Sequence, residues 1–352
     1  MSEKVKSITD GIEETYSWVF KKNYTYDEET LNYSRNLVRK DLERINIKNL
    51  EGMTAINVGT GSESIAIAEL GAQKVYHIDI SSVAVNSMTR YIKNNNIKNI
   101  STNLFDLCSN ENMRFIEGEC DIIYLNGVLQ HLYNPKQAIE NIAKNMKKGG
   151  KIFIRTYRNE SWLFFVVSLL RKLFKYTDKS ALIKCCKENS NGKDIFNDLF
   201  VCEMFDDIFV PVINIYSYKE LVSFFEQIGF EEIKISDQKI TENGIPYVEK
   251  EDTEESIMIA FSKNETLKYD TKIDFPMPKD QLSNFKENNQ IQELLVKFDL
   301  LEKIISKNII IKEEVPSIIY DLYHFASFRR ERNDNLDSMI KEMIGYINKI
   351  IV

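Results

Sequence analysis

The chain has 352 residues, with 46 basic and 53 acidic side chains and a formal net charge of −7. That length suggests two domains, or one large domain with an appendage, and it buries a core without disulfide or metal staples. Apolar residues at 43% and aromatics at 11% exclude a wholly disordered chain, and the acidic balance argues against wrapping duplex nucleic acid, which is driven by neutralising phosphates.

Residues 1–50 read as a helical arm. Thr9-Asp10 would cap a first helix carrying Ile12, Tyr16, Val19 and Phe20, and Asp27 a second with Leu31, Leu37, Val38 and Leu42 on one side. From 51 onward strands and helices alternate. Thr54–Val58, Lys74–Ile78, Ile100–Leu104, Asp121–Leu125 and Lys151–Thr156 read as strands, with helices at Ser64–Leu70, Ser82–Asn94 and Pro135–Met146. This spacing predicts an α/β fold, a doubly wound and mostly parallel sheet with right-handed crossovers and helices on both faces.

The alternation breaks at about 161–215. Trp162–Tyr176 reads as an amphipathic helix with a basic end. A polar stretch follows, then an extended segment holding Asp206 and Asp207. Tyr218–Gln227 is a helix, and Phe230–Ser236 and Ser256–Phe261 are two final strands separated by a loop around Glu242–Gly244. The sheet therefore has seven strands. The domain reading is an arm at 1–50, a core at 51–263 with a helical lid insertion at 161–215, a polar linker at 264–286 and a three-helix extension at 287–352.

Cys108, Cys120, Cys185, Cys186 and Cys202 have no CxxC spacing and read as buried thiols in a reducing compartment. His77, His131 and His324 lie too far apart in sequence for a zinc cluster, so no metal is expected. The polar N-terminus has no signal-peptide apolar run, and the longest apolar run, Trp162–Leu170, is too short to span a bilayer. A cytoplasmic protein without a membrane partner is expected.

The chemistry sits in Asn57-Val58-Gly59-Thr60-Gly61-Ser62-Glu63, a glycine turn between a strand and a helix. Such a turn admits close backbone approach to a ligand, and the helix start offers free N–H groups. Asp79 ends the second strand about 20 residues on, the spacing at which a carboxylate takes two ribose hydroxyls. Asp106 ends the third strand beside Leu107, which suits an adenine amino group packed on an apolar side chain. Then follow Asp121 to Leu132, with Asn126-Gly127 and His131, and Gly149-Gly150-Lys151 before the fifth strand. A nicotinamide-dinucleotide reading is disfavoured because the first turn lacks G-x-G-x-x-G and the His131 segment has no role in that fingerprint.

In this order the pieces resemble the class I S-adenosylmethionine-dependent methyltransferases, closely over residues 50–160 and more loosely to 263. The resemblance implies a Rossmann-like fold and a methyl transferase using S-adenosylmethionine, with S-adenosylhomocysteine as product. It implies that Asn57, Gly59, Thr60 and Gly61 line the methionine part of the cofactor, and that Asp79 holds the ribose with Ile80 against the adenine. Asp106 and Leu107 would hold the adenine, while Asn126 and Gly127 face the methionine end and the acceptor. The family usually has Asp or Glu where this chain has Asn57, which keeps an acceptor oxygen but loses the charge.

His131 could act as a general base, its ordinary pKa being near working pH, or serve as a structural contact. Arg155, Tyr157 and Arg158 follow strand five at the edge of the expected site. Arg155 and Arg158 fit an anionic small-molecule acceptor, with Tyr157 joining His131 in the chemistry; the alternative is a solvated loop. Tyr16, Trp18, Tyr24 and Tyr26 of the arm could cover the cofactor or serve as packing. Asp206 and Asp207 read as solvated acids or a helix cap, and Arg329, Arg330 and Arg332 as a solvated basic face. The expected partner is a small-molecule acceptor, not nucleic acid; the C-terminal helices offer a surface for a second copy or a partner protein. The rival reading is a catalytically degenerate methyltransferase fold working as a scaffold through those helices.

Overall fold

The computed structural model describes residues 3–23, 26–116, 119–159, 161–190, 199–240, 246–248, 256–264, 273–276, 289–331 and 335–351. They divide into two compact units, residues 1–157 with 211–278, and residues 158–210 with 279–352. This differs from the sequence reading, which kept the insertion in the core and the C-terminal helices apart. The insertion and the C-terminal helices form one unit, because both bury apolar faces that a 3.6-residue period leaves one-sided.

The first unit opens with two helices, α1 (Glu3–Asn23) and α2 (Glu28–Arg44). Asp27 caps α2, its side chain accepting from the Thr30 N–H at 2.8 Å. Thr9-Asp10 does not cap α1: nothing in Glu3–Ile8 interrupts a helix, so α1 starts at Glu3 and Thr9 lies inside it.

Five parallel strands follow: β1 (Thr54–Val58), β2 (Lys74–Asp79), β3 (Ile100–Leu104), β4 (Cys120–Asn126) and β5 (Met146–Tyr157). They alternate with α3 (Gly61–Glu69), α4 (Ser82–Asn94) and α5 (Pro135–Lys144). Asn134 caps α5 ahead of Pro135, which is tolerated at a first helical turn because its missing N–H would be unpaired there. After the second unit's insertion the chain returns through α9 (Tyr218–Gln227), β6 (Phe230–Glu232) and β9 (Ser256–Lys263). A short antiparallel pair, β7 (Gln238–Ile240) with β8 (Pro246–Val248), flanks the expected loop, whose residues 242–244 lie outside the described ones. The sheet order is β3-β2-β1-β4-β5-β9-β6, seven strands as expected, with β9 antiparallel to both its neighbours.

Strand alternation sorts the core. Ala55, Tyr124 and Phe153 face α2 and α3, beside Val38, Leu42 and Ile65. Ile56, Ile123 and Ile152 face the other side, with Ile139 and Ile142 of α5 and Phe224 of α9. The order reverses between β1 and β4, so the carboxyl ends of these strands form the switch-point crevice. The segment 273–276, read as polar linker, packs on this core: Phe275 meets Phe224 and Tyr216 at ring-centroid distances of 4.6 and 5.6 Å.

The second unit contains α6 (Trp162–Leu173), α7 (Lys179–Asn189), α8 (Leu199–Phe209), α10 (Asn289–Ser306), α11 (Val315–Glu331) and α12 (Leu336–Ile351). Asp206 and Asp207 lie on helix α8, not on an extended segment. Val201, Met204, Phe205 and Ile208 recur at helical spacing and are all buried. Asp207 is buried and accepts from the Tyr323 hydroxyl at 2.9 Å. Arg171 closes the end of α8 by donating to the carbonyls of Asp207, Ile208 and Val210 at 2.7, 3.0 and 2.7 Å. The side chains of Arg329 and Arg330, and all of Arg332, lie outside the described residues.

All five cysteines are free and buried. Among the described residues no helix is long and apolar enough to cross a membrane, and no group of three His, Cys, Asp or Glu side chains could hold a metal.

Candidate active site

The glycine turn follows β1. Gly59 has φ 94°, a left-handed conformation that side chains resist, and its N–H donates to the Ile78 carbonyl at 3.0 Å. At Gly61 a Cβ would come within 2.4 Å of the Tyr26 hydroxyl and 3.2 Å of Met88 Sδ, so only glycine lets these side chains lie against the turn. Asn57 is fully buried beneath it. Its amide nitrogen donates to the Thr60 carbonyl at 2.9 Å and to Ser64 Oγ at 2.8 Å, which fixes Oδ1 as the remaining atom, buried without a partner. Ser64 Oγ in turn meets His77 Nδ1 at 3.0 Å, and burial pushes the His77 pKa down to about 4, so that ring is neutral.

Asp79 ends β2 and is 5% exposed. Burial pushes its pKa up to about 7, against the N–H groups of Ser81 and Ile80, with Glu13 of the arm adding to the rise. Ser81 donates its N–H to Asp79 Oδ1 at 2.6 Å. Ile80, half-buried, follows directly. Beyond β3, Asp106 accepts from the Tyr133 hydroxyl at 2.6 Å and from the Cys108 N–H at 2.9 Å, and Leu107 is buried in the core.

Asn126, at the tip of β4, donates its amide to Glu63 Oε1 at 2.6 Å. Glu63 is 3% exposed, its Oε2 is buried without a partner, and burial pushes its pKa up to about 8. Gly127 has φ 68° and donates its N–H to the Arg155 carbonyl at 3.0 Å. The structure thus brings Asn57, Gly59, Thr60, Gly61, Asp79, Asn126 and Gly127 to the carboxyl ends of three adjacent strands, β2, β1 and β4.

His131 is 5% exposed, in the turn after β4. Its Nδ1 lies 3.1 Å from the Val212 carbonyl. A carbonyl only accepts, so Nδ1 carries a proton, and Nε2 is the ring nitrogen left to exchange one. The ring packs edge-on against Tyr157 at 5.6 Å and Tyr16 at 5.7 Å. Two residues chosen from the sequence, His131 and Tyr157, are therefore in contact.

Arg155 is placed differently from a ligand grip. Its Nη2 donates to Asp41 Oδ1 at 3.0 Å, and Asp41, fully buried on α2, also accepts from Arg44 at 3.0 Å and from the Tyr124 hydroxyl at 2.7 Å. Arg158 begins the second unit and is 8% exposed. Of the arm aromatics, Tyr16 lies on His131 and Tyr26 stands at Gly61, its hydroxyl pKa raised by burial and by Asp79. The side chain of Trp18, and all of Tyr24, lie outside the described residues.

Sequence reasoning missed the Asp41 network and the Glu63–Asn126 bond. A signal for the first was present: Asp41 occupies the same stripe of α2 as Val38 and Leu42, where an acid needs partners.

Residues 49–201 match a family model described as a methyltransferase domain. The chain carries a methyltransferase domain. The match starts in the first unit and runs into the second. A ubiquinone biosynthesis O-methyltransferase, mitochondrial, of Dictyostelium discoideum is 34% identical over 130 residues, covering 34% of this chain and 40% of that protein. The chain thus spans about two fifths of that curated relative's length. Among solved structures, magnesium protoporphyrin IX methyltransferase from Synechocystis with bound S-adenosylhomocysteine is 13% identical over 73% of this chain and 99% of its own, with a TM-score of 0.42. N-methyltransferase NodS from Bradyrhizobium japonicum is 13% identical over 71% of this chain and 99% of its own, with a TM-score of 0.41.

The methyltransferase domain's own residues fit S-adenosylmethionine. The glycine turn carries no side chain at Gly59 or Gly61, the Asp79 carboxyl stands at the end of β2, and two side-chain oxygens, Asn57 Oδ1 and Glu63 Oε2, are buried without a partner. A ligand bearing hydroxyls and an ammonium supplies the donors this set lacks.

Proposed function

We propose that the protein transfers a methyl group from S-adenosylmethionine to an oxygen of a small molecule. The observation that carries the reading is the convergence of the glycine turn, Asp79 and Asn126 on the crevice where the order of the parallel strands reverses. Oxygen as the acceptor atom rests on the His131 tautomer and on the name of the Dictyostelium relative.

The bound cofactor would supply an activated methyl group on a sulfonium centre. Asp79 would accept from the ribose hydroxyls, and Gly59 to Gly61 would lie along the methionine chain. His131 Nε2 would take the proton of the acceptor hydroxyl, while the Val212 carbonyl holds the ring's tautomer and Tyr16 and Tyr157 hold its plane. Alignment supplies much of the rate, because the leaving group is already activated. The anionic acceptor suggested by Arg155 and Arg158 is not part of this proposal: Arg155 is committed to Asp41.

Titration calorimetry tests the reading. S-adenosylmethionine should bind the native protein, and Asp79→Ala should lose most of the heat. No heat at millimolar ligand with native protein would sink it. Methyl transfer from labelled cofactor to a panel of phenols, amines and carboxylates then identifies the acceptor atom.

A further inference from the structure

The glycine turn is bracketed by two side chains whose hydrogen bonding is half complete. Asn57 has used both amide protons on Thr60 and Ser64, and its Oδ1 accepts nothing. Glu63 has one oxygen on Asn126, and its Oε2 accepts nothing. A buried acceptor without a donor forfeits its hydration and gets nothing back, so a fold that retains two beside one turn has a donor in prospect. The nearby cation Arg155 does not fill the role, since its Nη2 is directed to Asp41. The missing group is therefore rich in N–H donors, and a positively charged one would gain most, because it would convert the Glu63 carboxyl into a charge-assisted acceptor.

The geometry points to Glu63 as the residue that reads the ammonium end of the cofactor, replacing in this chain the charge that Asn57 does not carry. This rests on the cofactor reading above and deepens it. Asn57 Oδ1 would supply a neutral acceptor from beneath the turn. Glu63 Oε2 would supply the charged one from the first turn of α3, with Asn126 holding its other oxygen and fixing the rotamer. A neutral carboxyl would have to give up its proton to do this. Burial does favour the neutral form here, the Asp41 carboxylate adds to that, and Arg155 and the Asn126 amide oppose it. An arriving ammonium reverses the balance, so binding of an amino-acid-bearing ligand should release a proton.

Two ligands separate this role from a structural one. S-adenosylhomocysteine carries the amino acid end, and 5′-methylthioadenosine lacks it while keeping the nucleoside and thioether. In calorimetry, Glu63→Gln should weaken S-adenosylhomocysteine at least tenfold and leave methylthioadenosine within twofold. Measured near pH 7 in two buffers of different ionisation enthalpy, native protein should release more protons with S-adenosylhomocysteine than with methylthioadenosine, and E63Q should abolish that difference. Asp79 meets both ligands through the nucleoside, so its own titration cancels. Equal weakening of both ligands in E63Q, or no weakening of either, overturns the role of Glu63 while leaving the cofactor reading intact. Failure of native protein to bind either ligand overturns both.

Discussion

Two buried carboxyl groups on the same side of the sheet are treated in opposite ways. Asp41 accepts from Arg44, Arg155 and Tyr124 at 3.0, 3.0 and 2.7 Å. Burial pushes its carboxyl up, but Arg155, Tyr124 and Arg44 all pull against that, and two guanidinium groups at hydrogen-bond distance keep it ionised. Glu63 has one donor, Asn126, and an unpartnered oxygen, and its pKa is pushed up to about 8. The first group is a closed network that ties α2 to β4 and β5. The second is left open at the crevice. A buried acid with both oxygens hydrogen-bonded serves the fold, whereas one left incomplete beside a glycine turn serves a ligand.

The largest effect should come from breaking the closed network. Asp41→Ala removes the buried acid that pairs Arg155 and one of the two acids that pair buried Arg44, and losing one side of such a pair costs about 3–5 kcal/mol. For a unit of this size that lowers the melting temperature by roughly 10 °C or more, measurable by scanning fluorimetry. A shift below about 2 °C would break the contrast between the closed and the open acid.

The open side predicts losses of function without loss of fold. His131→Asn should reduce the rate of methyl transfer about a hundredfold, at the low end for a general base, with cofactor affinity within twofold. A rate equal to that of native protein would leave His131 as packing between Tyr16 and Tyr157. Asp79→Asn should weaken cofactor binding roughly tenfold, since it loses charge-assisted bonds. The same change should not lower the melting temperature of the ligand-free protein, because it removes a carboxyl that burial disfavours when ionised.

The smallest effect is a pH dependence. In the folded, ligand-free protein Asp79 and Glu63 titrate near 7 and 8, above their ordinary 3.8 and 4.5. Stability from a raised carboxyl is complete below its ordinary pKa and is lost as pH rises through the folded value. His77, held down to about 4 from 6.5, acts in the opposite sense at lower pH, so the range from about 6.5 to 8.5 isolates the two carboxyls. The melting temperature should fall by a few degrees across it, and Glu63→Gln should flatten the upper part of the slope. Saturating S-adenosylhomocysteine should flatten it further, because ligand contacts favour the ionised forms.

The order of strands, helices and acidic strand ends was legible in the sequence because each depends on local spacing. Apolar runs bounded by glycines give strands. Gly59 and Gly61 mark a turn that no side chain tolerates well. Asp79 and Asp106 fall where strands stop. The helix at Leu199–Phe209 was equally local in its period, but the acidic pair Asp206-Asp207 masked an apolar stripe that runs beneath it.

Three-dimensional packing decided what no spacing carries. Asp41 and Arg155 are separated by 114 positions and Glu63 and Asn126 by 63, and each pair meets only because β4 and β5 lie side by side under α2 and α3. The sequence by itself determined the alternating pattern, the glycine turn and therefore the family of the domain. Tertiary structure decided which charges neutralise one another and which stay open, because desolvation and hydrogen-bond satisfaction depend on what is packed nearby and not on order along the chain.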